Sequence, residues 1–128
     1  MRFSVLVTAG PQRPAALTGL RTVEAVLRSR HQLHCVFFYG EGVHLANRLA
    51  RRDDDAVCVP RDWQRLVETR ALPAVVCVGA ALRRGVTDAA EAHRAGLHGD
   101  NLAPGFRLAG LGDWVEALRG SERVVHFG

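Results

Sequence analysis

Cys35, Cys58 and Cys77 are the residues of this chain whose type points most directly to chemistry. A thiolate is a nucleophile and a metal ligand, provided that the sulfur ionises and can be reached. The three form no CxxC pair and no metal-ligand spacing, so a bound metal is not expected. Their odd number argues against a disulfide framework and leaves room for one thiol with a task of its own.

Cys77 is set apart by its neighbours. It closes the apolar, Val-rich run Leu72-Pro73-Ala74-Val75-Val76-Cys77, which reads as a buried strand. Val78-Gly79-Ala80-Ala81-Leu82-Arg83-Arg84-Gly85 follows, which reads as a short helix with a Gly stop. The sulfur is therefore expected at the carboxyl end of a strand, where ligands gather in open α/β sheets. The N–H groups of Gly79, Ala80 and Ala81, the helix dipole, and Arg83 and Arg84 would all favour its thiolate. Gly and Ala also leave space for an approaching molecule. The same run fits a buried and inert cysteine, because free Cys is among the most buried residue types.

Cys35 lies in the middle of the apolar run 33–39, and Cys58 lies in the short apolar run 56–59. Both are expected to be structural. Tyr39, Glu41 and His44 surround a strand-to-helix turn and could line a pocket. The plainer reading packs Tyr39 and leaves the other two in solvent.

Behind these residues stands a chain of 128 residues, 48% of them hydrophobic, with mean hydropathy near zero. It is expected to form one domain over residues 1–128 with a real core. No apolar run is long enough to span a bilayer, and the amino-terminal stretch is too short and strand-like for a signal peptide. A cytoplasmic setting is the expectation. The net charge is +4, with a pI near 9.8. All 17 basic residues are Arg, and Lys and Ile are absent. A compositional bias of that kind explains part of the Arg excess without a nucleic-acid partner. The Arg residues are scattered and aromatics are few, so direct RNA binding has little to stand on. Neither GxxxxGK[ST] nor GxGxxG is present, which argues against a nucleotide loop.

The elements that must position the cysteines follow from periodicity. Strands are expected over 2–8, 33–39, 56–59, 72–77 and 123–127. Helices are expected over about 14–30, from Gly40 on through Val43, Ala46, Leu49 and Ala50, then from Pro60, over 78–85, from Asp88, and over 110–119. Asp88 and Glu91 have the spacing of a capping box. Residues 51–55 read as a mobile charged surface link, and 96–105 as a long irregular loop suited to contacts with partners. Alternation of this kind predicts an α/β fold: a three-layer α/β/α domain with a parallel sheet of about five strands, flavodoxin-like in general shape.

Phe37-Phe38-Tyr39 with Glu41-Gly42-Val43, the run from Cys77 to Val86, and Gly110-Leu111-Gly112 with Arg123-Val124-Val125-His126-Phe127 together resemble the DsrE/TusD family of sulfur-relay proteins. Asp88, Glu91, Ala92 and Arg94 fit the same pattern, and the resemblance covers essentially the whole chain. It implies a DsrEFH-like fold and a sulfurtransferase subunit in which Cys77 carries sulfur as a persulfide. It further implies a heterohexamer with related DsrF/TusC-like and DsrH/TusB-like subunits, a donor protein, and an acceptor protein with a reactive cysteine. The sulfur would serve tRNA wobble-uridine thiolation or the oxidation of sulfur compounds, with tRNA involved only indirectly and no cofactor required. Gly79 departs from the Ala expected in this run, a mild change. Two alternatives are a non-catalytic interaction subunit of the same complex and a small-ligand or RNA-binding α/β domain.

Overall fold

The computed structural model describes every residue except Asp53 and Asp55. The elements run β1 (Arg2–Val7), α1 (Pro14–Arg28), β2 (Gln32–Phe38), a 3-10 helix (Gly40–Ala46), α2 (Val59–Arg70), β3 (Ala74–Cys77), α3 (Val78–Arg83), α4 (Ala89–Arg94), β4 (Phe106–Ala109), α5 (Leu111–Arg119) and β5 (Arg123–Phe127). All four strand pairings are parallel, in the order β4-β3-β2-β1-β5. The expected α/β fold with five parallel strands is the fold observed. No helix among the described residues is long and apolar enough to cross a membrane.

Two adjacent phenylalanines show how the layers form. Successive strand residues point to opposite faces. Phe38 meets Trp63 of α2 at a ring separation of 5.2 Å, while Phe37 meets Trp114 of α5 at 5.4 Å. α2 and α5 therefore cover opposite faces. α1 shares the face of α2, since the Trp63 indole donates to the Ala16 carbonyl at 3.0 Å. Val36, Phe37 and Phe38 are fully buried, as a strand covered on both sides requires.

One expected strand is absent and another takes its place. Residues 56–59 do not join the sheet. Val57 is 56% exposed, and Cys58 is the N-cap of α2, with Pro60 in the first turn of that helix. A short apolar run with Pro beside it is equally good at opening a helix, where the missing N–H costs nothing. The fifth strand is β4, which pairs with β3 from Ala74–Phe106 to Cys77–Ala109.

The expected helix from Gly40 also stops early. It is a 3-10 segment that ends at Ala46, and Leu49 is exposed. The Gln64 side chain donates to the carbonyls of Leu45 and Asn47, and the Asn47 side chain accepts from the N–H of Leu49. These bonds take the groups that a longer helix would need. The reading of 51–55 as a mobile link falls partly on Asp53 and Asp55, which lie outside the described residues.

The capping box at Asp88 is half formed. The Asp88 carboxylate accepts from the Glu91 N–H at 2.8 Å, but the Glu91 carboxylate pairs with Arg94 at 3.2 Å. The 96–105 stretch is irregular, as expected, and it is tied at its far end. Asn101 accepts from the Thr87 N–H and donates to the Gly85 carbonyl, and the N–H of Ala103 donates to Ala46. The apolar stripe of α5 is divided. Ala117 is buried and Trp114 packs on the core, whereas Leu111, Val115 and Leu118 are exposed.

Candidate functional site

β3 is four residues long, and all four are buried between β2 and β4. Cys77 is its last residue and at the same time the N-cap of α3, with extended backbone at φ −61° and ψ 119°. No side chain caps that helix. The amides of Val78, Gly79 and Ala80 therefore have no intrahelical acceptor and face the cysteine end. The N–H of Ala81 is the fourth in the helix and falls on the Cys77 carbonyl in the helical pattern. The sequence reading had placed the free amides one residue too late.

α3 is closed at its other end by Gly85. That residue sits at φ +79°, a conformation that favours glycine, and the Val86 N–H donates back to the Ala81 carbonyl at 2.9 Å. Val86 is fully buried, as are Ala80 and Ala81, so the short helix is held by packing on one side. The Cys77 side chain shares that packing, and the residue is 5% exposed.

The other candidate residues divide into two groups. Gly79 and Ala80 lie in the first turn of α3, beside Cys77. Arg84 is turned toward the 3-10 helix. Its Nε donates to Glu41 Oε1 at 3.3 Å, and its Nη1 donates to the Ala80 carbonyl at 3.1 Å. Glu41 also meets His44 Nε2 at 3.1 Å. Glu41 and His44 line a cleft of about 460 Å³ with Gly10, Pro11, Gln12 and Arg13, a cleft whose walls do not include Cys77. Tyr39 packs against the core, so the pocket suggested by the sequence forms from two of its three residues. Arg83 is exposed and folds back over Gly79.

Cys35 occupies a mid-strand position opposite Ser4 and is 7% exposed. Burial pushes its thiol up to about 11, against a smaller lowering by Arg107. At neutral pH it is a packed, protonated side chain. Cys58 is half-buried at the start of α2, rather than inside a strand as expected, and borders a groove with Gln12, Arg51 and Arg52.

Gly42, which enters the sequence reading only through the family resemblance, has a steric role there that the structure explains. A Cβ on it would stand 2.2 Å from the Val7 carbonyl oxygen, so a glycine is required where the 3-10 helix presses on the end of β1. The Gly40-Glu41-Gly42 spacing was the available signal.

The DsrE/DsrF-like family matches residues 1–127. A sulfurtransferase TusD homolog of Pseudomonas aeruginosa is 43% identical over 128 residues, covering 100% of this chain and 98% of that one. A sulfurtransferase TusD of an Enterobacter species is 45% identical over 130 residues, covering 99% and 100%. Among solved structures, the ychN protein of E. coli superposes with a TM-score of 0.76 at 16% identity, over 99% of this chain and 100% of that one. A protein of unknown function from Methanobacterium thermoautotrophicum, MTH1491, gives 0.61 at 16% identity, covering 97% of each chain. These two likenesses speak to the fold.

Proposed function

Because the chain belongs to the DsrE/DsrF-like family, we propose that it is a sulfur-relay subunit that carries sulfane sulfur on Cys77. The named relatives are sulfurtransferases, which supports a sulfur-transferring role for this chain. The observation that carries the finer reading is the position of Cys77. It is the one cysteine that ends a buried strand and caps a helix whose first amides have no side-chain cap.

The chemistry needs only sulfur nucleophiles. The Cys77 thiolate attacks the outer sulfur of a donor persulfide, R–S–SH. A new S–S bond forms at Cys77, the donor S–S bond breaks, and the donor departs as R–S⁻. Cys77–S–SH then meets an acceptor thiolate, R′–S⁻, which takes the outer sulfur as R′–S–SH and returns Cys77 to thiolate. Atoms and charge balance in each step, and no oxidant is consumed. Each step is governed by thiolate fraction, access and leaving group, as in thiol–disulfide exchange. Unclaimed amides at the head of α3 favour negative charge on either sulfur.

The residue is nearly enclosed, so the donor and acceptor must reach a recessed sulfur. Loading itself helps, because the added S–S bond lengthens the side chain by about 2 Å. The working form is an assembly with DsrF/TusC-like and DsrH/TusB-like subunits in a cytoplasmic setting. The exposed Leu111, Val115 and Leu118 of α5, spaced to share one helix face, support association. Both branches of the relay, tRNA thiolation and sulfur-compound oxidation, use the same exchange at Cys77.

The test is transfer in the assembled complex. Wild type should accept sulfur from a cysteine desulfurase supplied with cysteine and pass it to an acceptor thiol. Cys77→Ser should fold and assemble but neither accept nor pass sulfur, since a hydroxyl forms no persulfide. Transfer that survives in Cys77→Ser would overturn the proposal.

A further inference from the structure

Arg83 and Arg84 are adjacent in sequence, yet their guanidinium groups end in different settings. Arg84 is neutralised. Glu41 answers its charge and the Ala80 carbonyl takes a second N–H. Arg83 makes no hydrogen bond or ion pair among the described residues. Its side chain runs back along α3 toward the amino-terminal turn, as long helical side chains do. Nη1 comes to rest 3.3 Å from the point where a Cβ on residue 79 would stand. A Cβ there would press on the guanidinium by only a few tenths of an ångström. A cation with its full charge therefore lies over the first turn of α3, two residues beyond Cys77.

We propose that Arg83 is the positioning residue that receives anionic sulfur at Cys77. The inference rests on the reading of Cys77 as the sulfur carrier. In that reading each exchange carries one negative charge on sulfur: on the Cys77 thiolate, on the departing donor thiolate, and on the incoming acceptor thiolate. Arg83 forms no covalent bond and moves no proton, because its guanidinium stays charged. It selects for negatively charged sulfur species over neutral ones of the same size. Arg84, its charge already answered by Glu41, takes no part in that selection.

The experiment uses two alkylating reagents of nearly equal size and different charge, iodoacetate and iodoacetamide. Both react with the thiolate, so the fraction ionised cancels in the ratio of their rates at Cys77, which peptide mass spectrometry reads. Arg83→Gln should lower the iodoacetate-to-iodoacetamide ratio about three- to tenfold, the size of one unit charge acting over roughly 3–6 Å through a water-like dielectric, as suits an exposed guanidinium. Arg83→Lys should restore most of it, and Arg84→Gln should leave it within about twofold of wild type, its charge being already paired. Raising the salt to about 1 M should carry the wild-type ratio toward that of Arg83→Gln. An unchanged ratio in Arg83→Gln, or an equal fall in Arg84→Gln, overturns the inference. So does a wild-type Cys77 that neither reagent labels while Cys58 reacts, since a cation cannot select what has no path to the sulfur. Sulfur loading of wild type from cysteine desulfurase, run beside it, reports on the carrier reading alone. Failure of loading with an intact charge ratio faults the carrier role, and the reverse faults Arg83.

Discussion

Cys35 and Cys77 are buried to nearly the same extent, 7% and 5% exposed, in two neighbouring strands of one sheet. Strand alternation and the pairing of Phe37 with Val75 put both on the face that α5 covers. The difference between them lies in the backbone. Cys35 is followed by three more strand residues, so no helix opens beside it. Cys77 is followed at once by a helix whose leading amides lack partners in their own helix. Burial alone thus does not separate the two thiols. The change of chain direction at Cys77 does.

The comparison breaks most visibly under labelling. At about pH 8, native protein should be alkylated at Cys77 at least about tenfold faster than at Cys35, because burial holds the Cys35 thiol protonated. Equal rates at the two sites would mean that the strand-end position confers nothing.

The 3-10 helix depends on a close backbone contact at the end of β1. Gly42→Ala would drive a Cβ into the Val7 carbonyl, which is backbone and cannot step aside. The expected loss of stability is about 3 kcal/mol, measured by denaturant unfolding. A loss below about 0.5 kcal/mol would show that the 3-10 helix can lift away at little cost.

How much of this was legible in the sequence differs from element to element. β1, β2, β3 and β5 could be read because each is a run of apolar and β-branched residues. β4 could not. Phe106-Arg107-Leu108-Ala109 carries a charge whose partner, Asp113, lies on the following helix at 2.9 Å. Residues 56–59 misled because a four-residue apolar run reads alike as a strand or as the start of a helix, and its flanking Pro decided for the helix. For the candidate site, the place of Cys77 was legible because it depends on one contiguous stretch. The separate fates of Arg83 and Arg84 were not. One depends on Glu41, 43 residues away in sequence, and the other on a rotamer that folds the side chain back over Gly79.

Cys35→Ala sharpens the contrast from the other side. It should cost about 1 kcal/mol through lost packing and leave sulfur transfer intact. Its pH signature is specific. In the unfolded chain the thiol ionises near 9, and in the folded protein near 11. The wild type therefore keeps this contribution in full below about pH 9 and loses it as pH rises toward 11. The stability difference between wild type and Cys35→Ala should shrink across that window. A difference that is flat from pH 8 to about 11.5 would show that Cys35 is not held protonated by its burial.

The smallest expected effect is that of Arg84→Gln. Its ion pair with Glu41 is partly exposed, and such pairs are worth less than about 1 kcal/mol. Thermal unfolding should register a small decrease, and a shift of several kcal/mol would mean that the Arg84–Glu41 contact holds the site together.

Peptide mass spectrometry after loading by a competent persulfide donor tests the central claim most directly. The account predicts one added sulfur atom on the peptide that contains Cys77, with the peptides of Cys35 and Cys58 unchanged. Sulfur on Cys35 or Cys58, with Cys77 unmodified, would contradict it.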